Sequence, residues 1–135
     1  METKVYRIKD IEKDFWAIDE AAALIRQGQV VAFPTETVYG LGANALDGQA
    51  VDRIFKAKGR PNDNPLIVHV SKAEDIEPLV LEVPPETHAL IEAFWPGPLT
   101  IILKKSGVVP HETTAGLTTV ALRMPNHPIA LALIE

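Results

Sequence analysis

Gly28-Gln-Val-Val-Ala-Phe-Pro34 is the stretch that decides the fold, because it sets a compact apolar run between two chain-breaking residues. A run bounded in this way, Val30 to Phe33, predicts a buried strand. The preceding segment, Trp16 to Gln27, has the apolar spacing of a helix, which Gly28 can end in the left-handed conformation. The same spacing predicts a second helix at Gln49 to Lys58. Strands alternating with helices of about 10–12 residues predict an α/β fold in which helices cover a sheet.

The rest of the chain continues this alternation. Pro85 suits the first turn of a third helix carrying Leu90 and Phe94, and a last helix is predicted from Pro128 to Glu135. The long loop from Ser106 to Gly116 favours a twisted mixed sheet, with an α+β character, over a purely parallel one. The further predicted strands are an edge strand at Val5 to Ile8 and the segments Leu66 to Val70, Leu99 to Lys104 and Thr118 to Arg123.

The composition excludes several classes of protein. With 135 residues, of which 47% are hydrophobic and 23% charged, the chain is expected to form one globular domain with a real core. It has no cysteine, so disulfides and thiolate metal sites are excluded. It has neither an apolar run near the ~20 residues of a membrane span nor a signal-peptide pattern, and a cytoplasmic protein is expected. The net charge of −5 argues against a surface built broadly for nucleic acid.

A compact cationic segment follows the second helix. Lys58 and Arg60 lie two residues apart, and Pro61 and Pro65 stiffen the backbone beyond them. Core packing does not require such a pair. An Arg presents a planar fork of donors and a Lys a point charge, so together they can bind two oxygens of one anion. Lys58 to Asn64 is therefore predicted to hold phosphate or carboxylate.

A hydroxyl-rich turn follows the first buried strand. In α/β proteins, ligands bind beyond the carboxyl ends of strands. Thr35 and Thr37 supply hydroxyls there, and Gly40 and Gly42 would let the backbone approach a ligand closely. A plain turn without a ligand explains the same residues. The phosphate-binding loop that ends in Gly-Lys-Ser/Thr is absent from the sequence.

Two strand faces carry the remaining candidates. Alternation places His69 on the polar face of its strand, and Thr119 and Arg123 together on one face of the last strand. Each has two interpretations: His69 is a ligand donor or a half-buried structural histidine, and Arg123 is a site residue or a surface arginine. No metal site is predicted, because Glu36 and Asp63 are isolated carboxylates and the histidines lack ligand spacing.

Taken together, these segments resemble a known family, the YrdC-like domain of threonylcarbamoyl-adenylate synthases, in the long form of bacteria and archaea. The resemblance covers nearly the whole chain. It rests on Phe33-Pro-Thr-Glu-Thr-Val-Tyr-Gly-Leu-Gly-Ala-Asn44, Lys56-Ala-Lys-Gly-Arg-Pro-Asn-Asp-Asn-Pro-Leu-Ile-Val-His69, Trp95-Pro-Gly-Pro-Leu-Thr100, Thr114-Ala-Gly-Leu-Thr-Thr-Val-Ala-Leu-Arg-Met-Pro125 and His127-Pro128.

The resemblance implies a YrdC/RibB-like fold and a nucleotidyl transfer. L-Threonine, bicarbonate or CO2, and ATP would give threonylcarbamoyl-AMP and pyrophosphate, for N6-threonylcarbamoyladenosine in transfer RNA. ATP is a substrate, and Mg²⁺ is expected with it, held mostly by phosphate and water. A threonylcarbamoyl transferase complex would act downstream. Contact with transfer RNA would be indirect, and no membrane partner is expected.

The resemblance also implies roles for individual residues. Lys58 and Arg60 would be catalytic, facing the phosphates and the carbamate. Threonine would meet Thr37, or alternatively Thr35, together with His69 and Arg123, whose fork would take the carboxylate. ATP would meet Arg60, Asn64 and Thr119.

The family pattern continues beyond Glu135 with a Ser-x-Asn segment that contributes further contacts to both substrates. Residues 1–135 are therefore expected to be the N-terminal two-thirds of the domain, weakly active or inactive alone. Two other functions are alternatives: an RNA-binding module, and a carbamoyl-adenylate-forming domain of hydrogenase maturation proteins. The negative charge argues against the first, and the absence of cysteine against the second.

Overall fold

The computed structural model describes residues 3–59 and 65–135, which form a mixed α/β fold. Arg60 and Asn64, both predicted to bind ATP, lie outside the described residues, as does Asp63. The helices and strands are α1 (Phe15–Arg26), β1 (Val31–Phe33), β2 (Gly40–Gly42), α2 (Gly48–Lys58), β3 (Ile67–His69), a 3-10 helix (Ala73–Leu79), α3 (Pro85–Phe94), β4 (Ile101–Lys104), α4 (His111–Thr114), β5 (Thr119–Arg123) and α5 (Pro128–Ile134).

The larger sheet is mixed, as predicted. Its strand order is β3-β5-β4, with β3 parallel to β5 and β4 antiparallel to it. Val120 and Leu122 of the central strand are 1% and 0% exposed, whereas Thr119 and Arg123 lie on the opposite, partly open face. The predicted alternation along β5 is thus confirmed, and it leaves one face of the sheet for a site.

The second sheet consists of β1 and β2, which pair antiparallel. The predicted burial of the first strand is wrong for most of its residues, since Ala32 is exposed and only Phe33 is buried. A two-stranded sheet covers only one face of each strand, so the outward side chain stays in water. Gly40–Gly42, predicted as part of a turn, is the strand β2 because it pairs with β1 across the hairpin.

Two apolar clusters form the core. One lies against the three-stranded sheet and includes the 3-10 helix and α3; the other joins α1, β1 and α5. The polar residues of the candidate site come from strands and turns that belong to both clusters. Members of the first include Val68, Val70, Ile76, Ile91, Trp95, Ile101, Val120 and Leu122, and the second holds Ile18, Ala21, Phe33, Ala130 and Leu133.

The helices are short and end at identifiable residues. α1 is followed by Gly28 at a φ of 84°, as predicted. The carboxylate of Asp47 caps α2 by accepting hydrogen bonds from the first turn, and Gly59 ends this helix at a φ of 62°. Across residues 3–59 and 65–135, no helix combines the length and the apolar character needed to cross a membrane.

The most apolar face of α3 is not the face that packs against the core. Leu90 and Phe94 are 42% and 56% exposed, whereas Thr87 and Ile91 are buried. These two lie one turn apart and are followed one turn later by Trp95, which is 8% exposed and donates its Nε1 hydrogen to the carbonyl oxygen of Leu99 at 2.9 Å. Anchoring of the indole in the core therefore sets the rotation of α3.

The edge strand predicted near the N-terminus is wrong. Residues 5–8 form no strand, and Val5 is 83% exposed. The rings of Tyr6 and Trp16 meet edge to face instead, with centroids 6.0 Å apart. Packing of its side chains on α1 holds the segment in place. A pattern of alternating apolar and polar residues only four residues long cannot distinguish such packing from a strand.

Candidate functional site

The candidate site is built around Arg123, the last residue of β5. Its Nη2 group is ion-paired with Oε1 of Glu36, 87 residues earlier in the chain, and the side chains of Arg123 and Glu36 are only 11% and 20% exposed. The second oxygen of Glu36, Oε2, accepts a hydrogen bond from the backbone N–H of Asn126 at 2.6 Å. Glu36 therefore fixes both the guanidinium and the chain that leaves β5.

The pKa of Glu36 agrees with this arrangement. Partial burial alone would raise the pKa, but backbone N–H hydrogen bonds, chiefly that of Asn126, and the charge of Arg123 bring it below the ordinary value of 4.5. The carboxylate is thus ionised at neutral pH. In the sequence Glu36 stands as an isolated carboxylate, because nothing local connects it to a residue 87 positions away.

Arg123 has a second anchor in the Trp95–Thr100 segment. Its Nε donates to the carbonyl oxygen of Gly97 at 3.2 Å, and the N–H of Gly97 donates to the carbonyl oxygen of Met124 at 2.8 Å. A Cβ at position 97 would lie 2.5 Å from the carbonyl oxygen of Phe94, so this position requires glycine. The segment was predicted only to end a helix, yet it also orients the arginine.

These two anchors leave one end of the guanidinium open. Glu36 and Gly97 bind Nη2 and Nε, which lie on the same edge of the planar group. Within the described residues, Nη1 of Arg123 makes no hydrogen bond. Nη2 carries two hydrogens, of which Glu36 takes one, so Nη1 and Nη2 both keep hydrogens that can donate to a carboxylate.

His69 lies beside Arg123, because the parallel pairing of β3 and β5 places these two residues in register. Its Nδ1 is 3.1 Å from the carbonyl oxygen of Ile67. A carbonyl can only accept, so Nδ1 carries the hydrogen and Nε2 of the neutral ring is an acceptor. Burial, the largest cause, lowers the pKa of His69 below 6.5; Arg123 lowers it further, while Ile67 and Glu36 act against this. The ring is thus neutral at pH 7.

Phe33 joins the glycine pair to His69. Its ring meets the imidazole edge to face, with centroids 6.0 Å apart. A Cβ at Gly42 would lie 2.7 Å from Cε1 of this ring, and one at Gly40 would lie 3.3 Å from Cζ. These glycines were predicted to give a ligand close access to the backbone. In the structure they admit the ring of Phe33, which supports His69.

The turn between β1 and β2 is closed by its own hydroxyls. Oγ1 of Thr35 lies 3.1 Å from Oγ1 of Thr37 and donates to the carbonyl oxygen of Val38 at 2.6 Å. Thr35 is therefore engaged in holding the turn, and Thr37 is the more exposed of the two. Because Glu36 lies between them and pairs with Arg123, the turn is held at the end of β5.

The residues predicted for ATP lie farther from this cluster. Thr119 shares a strand face with Arg123 but begins β5, about 13 Å away at ~3.3 Å per residue. Lys58 is exposed in the last turn of α2, and no hydrogen bond or ion pair to it occurs within the described residues. A cation there also stabilises the negative end of the helix dipole. Its catalytic role stays a prediction.

The other titratable groups have local roles. Nδ1 of His127 accepts from the N–H of Ile129 at 3.2 Å and caps α5, and His88 is exposed on α3. Over the part of the chain that the structure describes, no group of three or more His, Cys, Asp or Glu side chains could hold a metal ion.

Comparisons with known proteins agree with the fold. The profile of the Sua5/YciO/YrdC family, described as telomere recombination, matches residues 23–135. The threonylcarbamoyl-AMP synthase of Pyrococcus abyssi (strain GE5 / Orsay) is 63% identical over 120 residues, covering 89% of this chain and 35% of that protein. The synthase of Bacillus subtilis (strain 168) is 57% identical over 119 residues, covering 87% of this chain and 34% of that protein.

A solved structure is also similar. The crystal structure of P. abyssi Sua5 complexed with L-threonine matches with a TM-score of 0.88 and 60% identity, over 96% of this chain and 36% of that one. This confirms the predicted α/β fold with a mixed sheet and flanking helices. The chain spans about a third of the length of the curated relatives it matches.

Proposed function

The chain belongs to the Sua5/YciO/YrdC family, and from that membership we propose that it holds the substrates of L-threonylcarbamoyladenylate synthesis. The substrates are L-threonine, bicarbonate or CO2, and ATP; the products are threonylcarbamoyl-AMP and pyrophosphate. The main support within the fold is the juxtaposition of His69 and Arg123 at the paired ends of β3 and β5. The relatives named threonylcarbamoyl-AMP synthase favour this reaction over RNA binding or the use of carbamoyl phosphate.

The first step joins threonine to carbon dioxide. The fork of Arg123 binds the threonine carboxylate, and the hydroxyl of Thr37 contacts the same molecule. The ammonium group must lose a proton before its nitrogen can attack carbon. Nε2 of His69 is an unprotonated acceptor beside Arg123, so it is placed to hold that proton while the new N–C bond forms. The nitrogen gives up a second proton as it becomes the carbamate, and this proton passes to water. With bicarbonate as the donor, one of its oxygens leaves as water.

The second step is the transfer of AMP. A carbamate oxygen attacks the α-phosphorus of ATP, the bond to the β-phosphate breaks, and pyrophosphate leaves. Charge develops on the phosphate oxygens, and cations held in place stabilise it. Lys58 and Arg60 have this role, with Asn64 and Thr119 as further contacts to the nucleotide.

A magnesium ion would accompany ATP. The described residues offer no cluster of three acidic or histidine side chains, so the triphosphate and water would supply most ligands. Its contribution would be to neutralise phosphate charge.

The product has a defined destination. We expect threonylcarbamoyl-AMP to pass, in the cytoplasm, to a transferase complex that modifies an adenosine of transfer RNA. The contact with transfer RNA is indirect. The charge of −5 supports this view, since RNA affinity depends largely on neutralising phosphates.

Incorporation of radiolabelled bicarbonate tests the function. Full-length protein, ATP and each amino acid in turn should give labelled adenylate with threonine alone. Arg60→Ala should abolish incorporation, whereas Arg7→Ala, at an exposed position, should retain it. Labelling that is independent of threonine, or full activity of Arg60→Ala, would contradict the proposal. Salt-sensitive transfer RNA binding without any labelling would favour the RNA-binding alternative.

A further inference from the structure

We propose that Glu36 is a positioning residue that aims the guanidinium of Arg123 at the carboxylate of the amino-acid substrate. The inference rests on the proposed function, in which Arg123 binds that carboxylate. Glu36 itself does not contact the substrate. Both of its oxygens are already used within the protein, by Nη2 of Arg123 and by the backbone N–H of Asn126.

Two anchors on one edge determine where the guanidinium points. An arginine side chain is long and has many rotamers, so a single hydrogen bond would leave its plane free to turn. The carbonyl oxygen of Gly97 holds Nε, and Glu36 holds Nη2. These contacts come from separate segments of the chain. They leave hydrogens on Nη1 and Nη2 available to donate to the carboxylate of a ligand.

The low exposure of the Arg123 and Glu36 side chains strengthens the interaction between their charges. The side chain of Arg123 is 11% exposed, so its guanidinium is poorly hydrated and interacts strongly with an anion that reaches it. The side chain of Glu36 is 20% exposed, and its carboxylate balances the positive charge of Arg123, which avoids leaving a poorly hydrated cation unpaired when the site is empty. Asn126 ties the carboxylate to the segment before α5, so the anchor is fixed at both ends.

Calorimetric titration of the full-length protein tests the inference. Gln at position 36 has a single acceptor oxygen, so its amide hydrogens must face either Arg123 or Asn126, and one hydrogen bond is lost. Glu36→Gln should weaken L-threonine binding about tenfold or more, the loss typical of a charge-assisted hydrogen bond. Binding of L-threoninamide, which lacks the carboxylate, and of ATP should stay within about twofold.

Two controls separate positioning from general destabilisation. In an Arg123→Lys background, Glu36→Gln should cause no further loss of threonine affinity, because the group that it positions is gone. Glu20→Gln breaks an exposed ion pair with Lys4, whose Nζ lies 3.4 Å from Oε1, and should leave every affinity unchanged.

The outcomes distinguish this inference from the proposed function. If Glu36→Gln binds threonine as well as the wild type does, the positioning role is overturned while the function stands. Tighter binding would show that Glu36 competes with the ligand, and it would also overturn positioning. If wild-type protein binds no threonine, both fail together. Should Glu36→Gln not fold, Glu36→Asp keeps the charge but cannot span both partners, and the same selective loss for threonine is expected.

Discussion

His69 and Arg123 stand in register on the parallel strands β3 and β5, and the backbone N–H of Val70 donates to the carbonyl oxygen of Arg123 at 2.9 Å. The hydrogen bond fixes the register at the point where both side chains enter the site. A slip by one residue would turn one of the two towards the core. The geometry of the candidate site is therefore a direct consequence of strand pairing.

Gly42→Ala is expected to disturb His69 through Phe33. The new Cβ would lie 2.7 Å from the Phe33 ring, which must move, and overpacking of this kind costs about 1–3 kcal/mol. Urea unfolding measures the cost, and the imidazole resonances of His69 report the displaced ring. Gly107→Ala is the matched control, because a Cβ there meets no atom of the described residues within 4 Å. Equal stability of the two variants would contradict the packing role.

Thr113→Val should destabilise the protein by about 1–3 kcal/mol, the cost of leaving a buried polar group without its partner. Thr113 is 1% exposed, and its hydroxyl donates to the carbonyl oxygen of Ala45 at 2.6 Å. Thr113→Ser keeps the hydroxyl and should recover most of the loss that is due to the hydrogen bond. Thermal or urea denaturation measures both. A valine variant as stable as the serine variant would show that packing, not the hydrogen bond, matters here.

The stability of the protein should fall as the pH drops below about 6.5, because the pKa of His69 is lowered in the folded state. The unfolded chain then takes up the proton first. The contribution of His69 is complete above the ordinary pKa and is lost as the pH falls through the folded value. Glu36, whose pKa is also lowered, should act in the same direction near and below its ordinary 4.5.

Urea midpoints between about pH 5 and 8 measure the histidine effect. His69→Gln should flatten the curve in this window, whereas His88→Gln, exposed on α3, should leave it unchanged. An unaltered slope in His69→Gln would show that another group titrates there.

Lys58→Ala and Lys56→Ala should separate catalysis from helix stability. Both residues lie in the last turn of α2 and interact with its dipole, so each substitution should cost about 0.3–1 kcal/mol of stability. Only Lys58→Ala should also lower kcat/KM for ATP, because only Lys58 belongs to the proposed anion site. Steady-state pyrophosphate release by the full-length protein provides the measurement. Equal kinetic loss in both variants would mean that Lys58 has no special role.

The elements of the fold were largely predictable, since helix and strand periods are local properties of the chain. The two predictions about burial that were wrong, for β1 and for α3, have physical causes. Burial of β1 depended on how many strands cover it, and the face that α3 presents depended on where the indole of Trp95 could be anchored. The site was predictable only in part. Strand faces made His69 and Arg123 candidates, and the family resemblance assigned them to threonine, whereas Glu36 and Gly97 contact Arg123 from distant segments that carry no local signal.

The sequence by itself determined the alternation of helices and strands, the polar faces of β3 and β5, and a compact pair of cations at Lys58 and Arg60. Each of these follows from interactions between near neighbours. Only the tertiary structure decided that His69 would lie beside Arg123, and that Glu36 would bind Arg123 from 87 residues away. Such contacts form when the two apolar clusters assemble and bring remote strands together. The assembly of these clusters depends on residues from the whole chain and not on near neighbours.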